Sequence, residues 1–383
     1  MWIKGLTIYA ENGVVENGLL EIENGKIKTI RQGEGDRDEG LRFPETYKLI
    51  PGMIDVHIHG ADGADTMDAT WDALATMAAV LPKEGTTAFL ATTITQEPEA
   101  IEKALINAKN YMAKQGEGAE MLGVHLEGPF INKNKAGAQP PQYIIDGDLA
   151  LFDHFQALSG GHIKLVTLAP EIDGGLELVK HLAEQGVVPS IGHSAATKKD
   201  VDAAVEAGAR HITHLFNGMS GLHHREPGVV GAAFLHDELY AEMIVDGIHI
   251  CPETVNIAYR LKGKDRIILI TDAMRAKCLK NGTYDLGGQV VSVRDGKATL
   301  ADGTLAGSVL KMDRGFRNMM AFTGCELSDI IQMGSVNPAV QLGIYDRKGS
   351  IKEGKDADLV VLNEQNDIVM TICRGKIVYK QSS

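Results

Sequence analysis

The sequence contains few cysteines and no long hydrophobic run. Four cysteines are spread through 383 residues, and no two of them form a Cys-x-x-Cys pair. We therefore expect free thiols in a reducing cytosol rather than a disulfide framework. No stretch of about 18 uncharged apolar residues occurs, so no transmembrane helix is predicted.

The chain also has fewer positively charged than negatively charged residues. Lys and Arg total 38 against 51 Asp and Glu, which gives a formal net charge of −13. Such a balance argues against nucleic acid or an anionic membrane as a general partner, although a local Arg/His cluster can still bind a small anion. The opening residues, MWIKGLTIYAENG, have no long apolar core and no small-residue cleavage site. We expect no signal peptide and a cytoplasmic location.

What is present fits a globular enzyme with many short loops. Hydrophobic residues make up 44% of the chain, charged residues 23%, and glycine is frequent at 43 residues. Both ends of the chain read as short strands separated by Asn-Gly and Gly-rich turns. We predict that residues 1–50 and 345–383 together form a small β-sandwich domain, and that residues 51–344 form the catalytic domain.

The middle of the chain alternates apolar runs with amphipathic segments. Eight runs read as strands, and segments near residues 68–84, 97–115, 173–186 and 197–208 have helical apolar spacing. Eight strand–helix alternations predict the α/β class and a (β/α)8 TIM-type barrel, with its active site at the carboxyl ends of the strands. Residues 276–304 break this rhythm. They predict a β-hairpin insertion over the active-site face, as either a lid or wall or a passive excursion.

Five predicted strands end in residues of metal-ligand type. These are His57 and His59 in IDVHIHG, Glu127 in HLEGPF, His193 in PSIGHS, His214 in HITHLFN and Asp272 in ILITDAM. Strand alternation places His57 and His59 on one face, where both nitrogens can reach one cation. Taken alone, the pair could equally pack in a barrel interior, and Glu127 could form a salt bridge. Glu127 with two histidines forms a three-ligand set with an open position, which is typical of a catalytic metal site.

Other residues allow a functional and a structural interpretation. Asp272 could take a proton from an attacking water and deliver it to a leaving group, but an Asp at a strand end is often a helix cap. His249 in DGIH could contact substrate or be a satisfied interior histidine, and His125, two residues before Glu127, could lie behind the ligands or in the core. The loop GLHHREPG carries His224 and Arg225. Arg suits phosphate capture, whereas a solvated turn is the default interpretation.

The motifs, in their order along the chain, resemble a known family. HxH, HLEGPF, GHS, THLFN-x-M, REPG, DGIH, TDAM and LAGS are similar to the N-acetylglucosamine-6-phosphate deacetylase family of the amidohydrolase superfamily. The match runs through nearly the whole chain. HLEGPF with the later THLFN and TDAM is specific to this family, whereas HxH is shared across the superfamily.

The resemblance implies hydrolysis of the acetamide of N-acetyl-D-glucosamine 6-phosphate to D-glucosamine 6-phosphate and acetate. It places the reaction in amino-sugar catabolism or cell-wall recycling. The implied cofactor is one or two divalent metal ions per subunit, and the ligand types suit Zn, Fe, Co or Mn. Glu127, His193 and His214 match the main metal ligands. His57 and His59 match a second site bridged by Glu127.

The resemblance also assigns roles around the substrate. Asp272 matches the catalytic acid/base and His249 a substrate-binding histidine. A homodimer is implied, in which Arg225 reaches the neighbouring active site. The remaining implied substrate positions are Asn217 and Gly218 at the sugar phosphate, His224 beside Arg225, Ala306 at the pocket, and Gln139, where many members carry a histidine.

Two other classes of function compete with this interpretation. A cyclic-amide hydrolase or a deaminase could use the same scaffold, but many cyclic-amide enzymes bridge two metals through a carbamylated lysine at the end of the fourth strand. In IKLVTLAPE, Lys164 lies near the start, and Glu127 can bridge instead. A non-catalytic barrel that binds metal or sugar phosphate would have little use for Asp272 beside an open coordination position.

Overall fold

An eight-stranded parallel barrel forms the centre of the computed structural model, which describes residues 1–33 and 40–381. Residues 34–39 and 382–383 of the predicted small domain lie outside the described residues. Each barrel strand pairs with the next along the chain. The strands are β1 (Met53–Ile58), β2 (Thr86–Thr93), β3 (Glu120–Glu127), β4 (Ile163–Leu168), β5 (Val188–Ile191), β6 (His211–Ile212), β7 (Tyr240–Ile244) and β8 (Ile267–Ile270).

The barrel closes where β8 meets β1. Asp272 N–H donates to His57 O at 2.8 Å, and His59 N–H donates to Ala273 O at 2.9 Å. The buried carboxylate of Asp55 lies in this seam and accepts the Thr271 hydroxyl at 2.5 Å. The eight strands and their closure confirm the predicted barrel, and they place His57 next to Asp272.

Helices cover the outside of the barrel, as the 3.6-residue spacing predicts. They are α1 (Trp71–Val80), α2 (Pro98–Met112), α3 (Leu149–Leu158), α4 (Gly175–Glu184), α5 (Lys198–Ala207), α6 (Gly228–Leu235), α7 (Pro252–Lys262), α8 (Met312–Thr323), α9 (Leu327–Ile331) and α10 (Asn337–Gln341). A π-helical turn, Gln332–Val336, joins the last two. Short 3-10 turns are Thr66–Asp68, Leu81–Glu84, Lys133–Lys135, Pro141–Tyr143 and Lys264–Arg266.

Helix α5 shows how local sequence sets these boundaries. It begins with a capping box in which the Thr197 side chain accepts from Asp200 N–H and the Asp200 carboxylate accepts from Thr197 N–H. It ends at Gly208, whose φ of 117° is a left-handed cap that favours glycine. Val201 and Ala204 point inward and are fully buried. Their burial helps to hold the helix against the barrel wall.

Strands from both chain ends form two further sheets. The six-stranded sheet has the order Lys376–Lys380, Ile368–Cys373, Leu359–Leu362, Lys48–Pro51, Thr7–Ala10, Gly13–Val15. The four-stranded sheet has the order Lys26–Gln32, Gly18–Glu23, Trp2–Lys4, Leu41–Arg42. One apolar cluster contains side chains from both termini, including Ile8, Leu20, Leu359 and Ile372. The termini therefore share one core, and the domain boundaries at 50/51 and 344/345 stay a prediction.

The insertion after β8 is a three-stranded antiparallel sheet made of Gly282–Leu286, Gln289–Arg294 and Lys297–Thr299. Its Gln289 side chain donates to Ala138 O at 2.5 Å, and Gln96 donates to Gly287 O at 2.6 Å. Leu286 packs with Ile94 in a separate apolar cluster. These contacts attach the insertion to the loops after β2 and β3. It is a wall of the active-site face rather than a passive excursion.

Among the described helices, none combines the length and the hydrophobicity that crossing a bilayer requires. All four cysteines are free, as their spacing predicts. Two short strands, Gly60–Ala61 and Ala64–Asp65, form a small ribbon after β1.

Candidate active site

The predicted ligand residues converge at the carboxyl end of the barrel. His57 lies within β1 and Glu127 is the last residue of β3, whereas His193, His214 and Asp272 each follow their strand by two residues. These last three have positive φ angles of 47°, 30° and 47°. Such angles are uncommon for residues other than glycine, and they end the strands earlier than the apolar runs predict. Backbone strain of this kind clusters at functional sites.

Glu127, His193 and His214 form one tight group. Nε2 of His193 and Nε2 of His214 each lie 3.2 Å from Glu127 Oε1, and they lie 3.2 Å from one another. His193 Nδ1 lies 2.8 Å from Lys135 O, and His214 Nδ1 lies 3.1 Å from Asn217 O. Because a carbonyl oxygen only accepts, each Nδ1 carries its proton. A neutral ring in this tautomer presents an Nε2 lone pair to the group.

This geometry fits a bound metal ion. Two nitrogen lone pairs and a carboxylate oxygen face one point without a hydrogen between them, and a metal cation at that point would satisfy all three. A tetrahedral ion with ligand distances of about 2.0–2.1 Å has edges of about 3.3 Å between its ligands. The three observed separations of 3.2 Å match that edge. The protein supplies three ligand atoms here, as in a catalytic metal site with an open position.

His57, His59 and Asp272 form a second group beside the first. Asp272 Oδ1 lies 3.4 Å from His57 Nε2 and 3.2 Å from His59 Nε2. Glu127 reaches both groups, because its Oε2 lies 3.3 Å from His59 Nε2 while Oε1 faces the other histidines. The one-face prediction for the His-x-His pair is confirmed. These ligand atoms suit a second cation, for which Glu127 would be the shared ligand.

The histidines of the second group gain protons when no cation is bound. Burial disfavours the charged ring of His59, but hydrogen bonds to Asp272 and Glu127 outweigh burial and raise its pKa to about 9. Burial opposes the charge on His57 as well, yet Asp272, Glu242 and Glu127 raise its pKa well above the ordinary value. Protons and cations therefore compete for the same positions.

We expect the metal-free protein to lose stability as pH rises. The folded pKa of His59, about 9, lies above its ordinary value of 6.5, so its contribution is complete below pH 6.5 and is lost as pH rises through 9. The shift corresponds to about 3 kcal/mol. Urea unfolding of chelator-treated protein between pH 6.5 and 9 measures this decline, with His59→Asn as the control that should decline less. Rising stability across that range would contradict the prediction.

Gln139 holds the shared carboxylate. Its Nε2 donates to Glu127 Oε2 at 2.7 Å, and its Oε1 accepts from Thr95 N–H at 2.8 Å. The side chain is buried, although it lines the cavity. A role in binding a sugar hydroxyl stays a prediction, because both ends of the amide already have protein partners.

Sequence reasoning missed two carboxylates behind the ligands. Glu242 on β7 is fully buried and contacts His57, His211 and His214. Asp246 accepts from His249 Nδ1 at 2.7 Å, which leaves His249 Nε2 available to the cavity. A Glu inside the apolar run AEMIV is costly to bury without partners, and this was the available signal for Glu242. His125 is buried directly behind His57, with ring centroids 4.5 Å apart and its nitrogens against Val56 O and the Thr167 hydroxyl.

A cavity of about 210 Å³ opens above the two groups. Asn217, Gly218 and His249 line it, as the substrate-site prediction requires. Ala306 is fully buried behind the wall, which supports packing rather than substrate contact. The other lining residues are His59, Ile94, Glu127, Gly137, Ala138, Gln139, His193, His214, Asp272, Leu286, Thr304 and Leu305.

Gly218 lines this cavity, whereas the later loop that carries His224 and Arg225 does not. Gly218 has φ of 59°, and a Cβ there would lie 3.1 Å from His193 Nδ1, so glycine lets the loop approach the ligand ring. His224 and Arg225 are exposed and do not line the cavity. Arg225 donates instead to His224 Nε2 at 2.8 Å. Neither residue lies at the cavity of its own chain, and a phosphate contact from a partner subunit stays a prediction.

Comparison with known proteins agrees with the fold and with the family resemblance of the sequence. The amidohydrolase family model matches residues 49–378. The chain is 50% identical to the N-acetylglucosamine-6-phosphate deacetylase of Bacillus subtilis (strain 168), covering 98% of this chain and 96% of that protein. It is 38% identical to the N-acetylgalactosamine-6-phosphate deacetylase of Escherichia coli O157:H7, with 98% of both covered.

A solved structure gives the same result. An Asp-to-Ala variant of the N-acetyl-D-glucosamine-6-phosphate deacetylase from Mycobacterium smegmatis, in complex with N-acetyl-D-glucosamine-6-phosphate, matches with a TM-score of 0.94 at 31% identity and covers 99% of both chains. The chain therefore belongs to the amidohydrolase family and, within it, to the N-acetylglucosamine-6-phosphate deacetylase family.

Proposed function

We propose that the protein hydrolyses the acetamide of N-acetyl-D-glucosamine 6-phosphate to D-glucosamine 6-phosphate and acetate, within amino-sugar metabolism. The observation that carries this proposal is the group of Glu127, His193 and His214 beside the Asp272 carboxylate, under a cavity open to a small molecule. Relatives whose names specify deacetylation of an N-acetylhexosamine 6-phosphate support the substrate class.

The proposed cofactor is a divalent metal ion. Glu127, His193 and His214 would hold one ion, and His57 with His59 would hold a second that shares Glu127. Imidazole and carboxylate ligands suit Zn, Fe, Co or Mn, and availability selects among them. When bound, the metal lowers the pKa of water and polarises the amide carbonyl.

The remaining chemistry belongs to side chains of this chain. Asp272 is placed to take a proton from the attacking water while the water oxygen bonds to the acetyl carbon. The same carboxyl then delivers that proton to the amine nitrogen as the C–N bond breaks. His249, held through Nδ1 by Asp246, contacts the substrate through Nε2, and Asn217 with Gly218 orients the sugar phosphate.

Lysine chemistry of the cyclic-amide type is not supported by this geometry. Lys164 lies at the amino end of β4, and its Nζ donates to Gly161 O at 3.3 Å. Lys164 therefore lies at the amino end of the barrel strands, opposite the carboxyl end that carries Glu127. A deaminase remains the rival that the assay below addresses.

An acetate-release assay tests the proposed function. Purified protein loaded with metal is given N-acetylglucosamine 6-phosphate, its galactosamine epimer and unphosphorylated N-acetylglucosamine. We expect equal amounts of acetate and free amine from the first sugar phosphate and little from the unphosphorylated sugar. The epimer is included because the Escherichia coli relative is named for it. No acetate from either sugar phosphate would defeat the proposal.

We further propose a homodimer in which Arg225 completes the neighbouring site. Arg225 is exposed and does not line the cavity of its own chain, which supports this arrangement. The free cysteines support a cytoplasmic location.

Mixed dimers test the role of Arg225. Arg225→Ala and Asp272→Asn should each be nearly inactive alone. After subunit exchange, a mixed dimer would have one intact site, so about a quarter of wild-type activity should return if subunits pair at random. The measurement is acetate release before and after exchange, with each variant exchanged against itself as the control. No recovery in verified mixed dimers would show that Arg225 does not act across the interface.

A further inference from the structure

The most unusual buried group outside the ligand set is the carboxylate of Glu242. It is on β7, fully buried, and has no Lys or Arg side chain against it among the ion pairs of the described residues. Its partners are instead three N–H groups, from His57 Nδ1, His211 Nε2 and His214 N, each at 3.0 Å. All three contacts suit an ionised carboxylate, which only accepts, and hydrogen bonds to the charged form offset the cost of its burial.

The bond to His57 fixes which nitrogen of that ring faces the candidate second metal group. Because the ionised Glu242 carboxylate accepts at Nδ1, that nitrogen carries a proton. His57 Nε2 is then directed at Glu127 Oε1 and Asp272 Oδ1, each at 3.4 Å, and has no hydrogen-bond partner. Glu242 therefore sets the tautomer of His57 and, together with the neighbouring histidine rings, holds its orientation.

The bond to His214 acts on the other metal group. Glu242 Oε2 accepts the backbone N–H of His214, the residue whose φ is 30°. This contact helps to hold the strained backbone that directs the His214 ring to Glu127 Oε1. One carboxylate therefore contacts a residue of each group.

The negative charge of Glu242 also supports a role at both metal groups. Glu127, Asp272 and Glu242 place three negative charges in a buried space that would receive two divalent cations. Replacing Glu242 by a neutral side chain removes one of these charges, and at low dielectric that loss weakens the binding of both cations. We do not assign a third metal site to His57, His125 and Glu242, because His57 Nδ1 and both nitrogens of His125 already have hydrogen-bond partners.

From these contacts we propose that Glu242 is a positioning residue that couples the two metal groups, so that its loss weakens both. The proposal rests on the metal centre proposed above. Outer partners of metal ligands typically change metal affinity by about 10- to 100-fold when they are replaced.

Metal affinity, rather than turnover alone, tests this role. Metal-free wild type, Glu242→Gln and His59→Asn are titrated with Zn²⁺ against a competing chelator. We expect Glu242→Gln to lose affinity for both ions by about 10- to 100-fold, whereas His59→Asn should lose affinity for one. Wild-type affinity in Glu242→Gln, or loss at one position only, would overturn the proposal.

A matched variant separates this effect from general destabilisation. Asp358→Asn alters another buried carboxylate, which contacts Lys348 and accepts from Arg374 N–H beside the six-stranded sheet, and it should retain both affinities. Equal metal loss in Asp358→Asn would overturn the proposal. If Glu242→Gln does not fold, Glu242→Asp replaces it and must show weaker binding of both ions than Asp358→Asn. Wild type that binds no metal would instead defeat the proposed function.

Discussion

Replacing Asp272 by Asn should lower kcat by on the order of 10²- to 10⁴-fold, the usual contribution of a general acid/base. The amide cannot accept a proton from the attacking water, and so cannot return one to the amine. The first metal ion should remain bound, because Asp272 is not part of the Glu127, His193 and His214 group. The second ion should bind more weakly, because Asp272 contacts both His57 and His59. Acetate release and metal content per subunit measure the two effects.

An Asp-to-Asn substitution on the insertion, away from the metal groups, provides a control. Asp285→Asn changes an exposed carboxylate on the first strand of that sheet and should leave turnover close to wild type. Full activity in Asp272→Asn would refute the acid/base assignment. Loss of the first metal ion in that variant would show that inactivity has another cause.

Replacing Glu127 by Gln should remove both metal ions. Its Oε1 faces His193 and His214, and its Oε2 faces His59, so each proposed ion loses an anionic ligand. We expect affinity to fall by more than the about 10- to 100-fold that outer partners contribute, and turnover to fall with it. Elemental analysis of dialysed protein measures the metal content.

Variants of single histidines show whether the loss of both ions is specific to Glu127. His193→Asn should remove the first ion and His59→Asn the second, whereas Glu127→Gln removes both. If Glu127→Gln retains one ion at wild-type affinity, Glu127 is not the shared ligand.

Most of the fold and the inner ligands could be predicted from sequence because their signals are local. An apolar run that ends in His or Glu is visible without knowledge of any neighbour, and barrel topology then brings such ends together. The His-x-His spacing likewise determines a shared face. The ends of the strands were harder to predict. The positive φ angles at His193, His214 and Asp272 depend on the packed site rather than on local propensity.

Partners that lie far apart along the chain could not be predicted. Glu242 interacts with His57, 185 residues away, and Gln139 turns its amide to Glu127 and Thr95 rather than to the open cavity. Arg225 shows a different limit, because its predicted contact would need a second subunit. Hydrogen bonds of this kind depend on which loops lie side by side in the fold, and local sequence patterns do not reveal that.

Removal and return of metal tests the central claim most directly. Protein stripped by a chelator and dialysed is titrated with Zn²⁺ or Fe²⁺ while bound metal and acetate release are followed together. The account predicts negligible turnover without metal, and recovery as the Glu127, His193 and His214 group fills. Undiminished deacetylation by verified metal-free protein would contradict it.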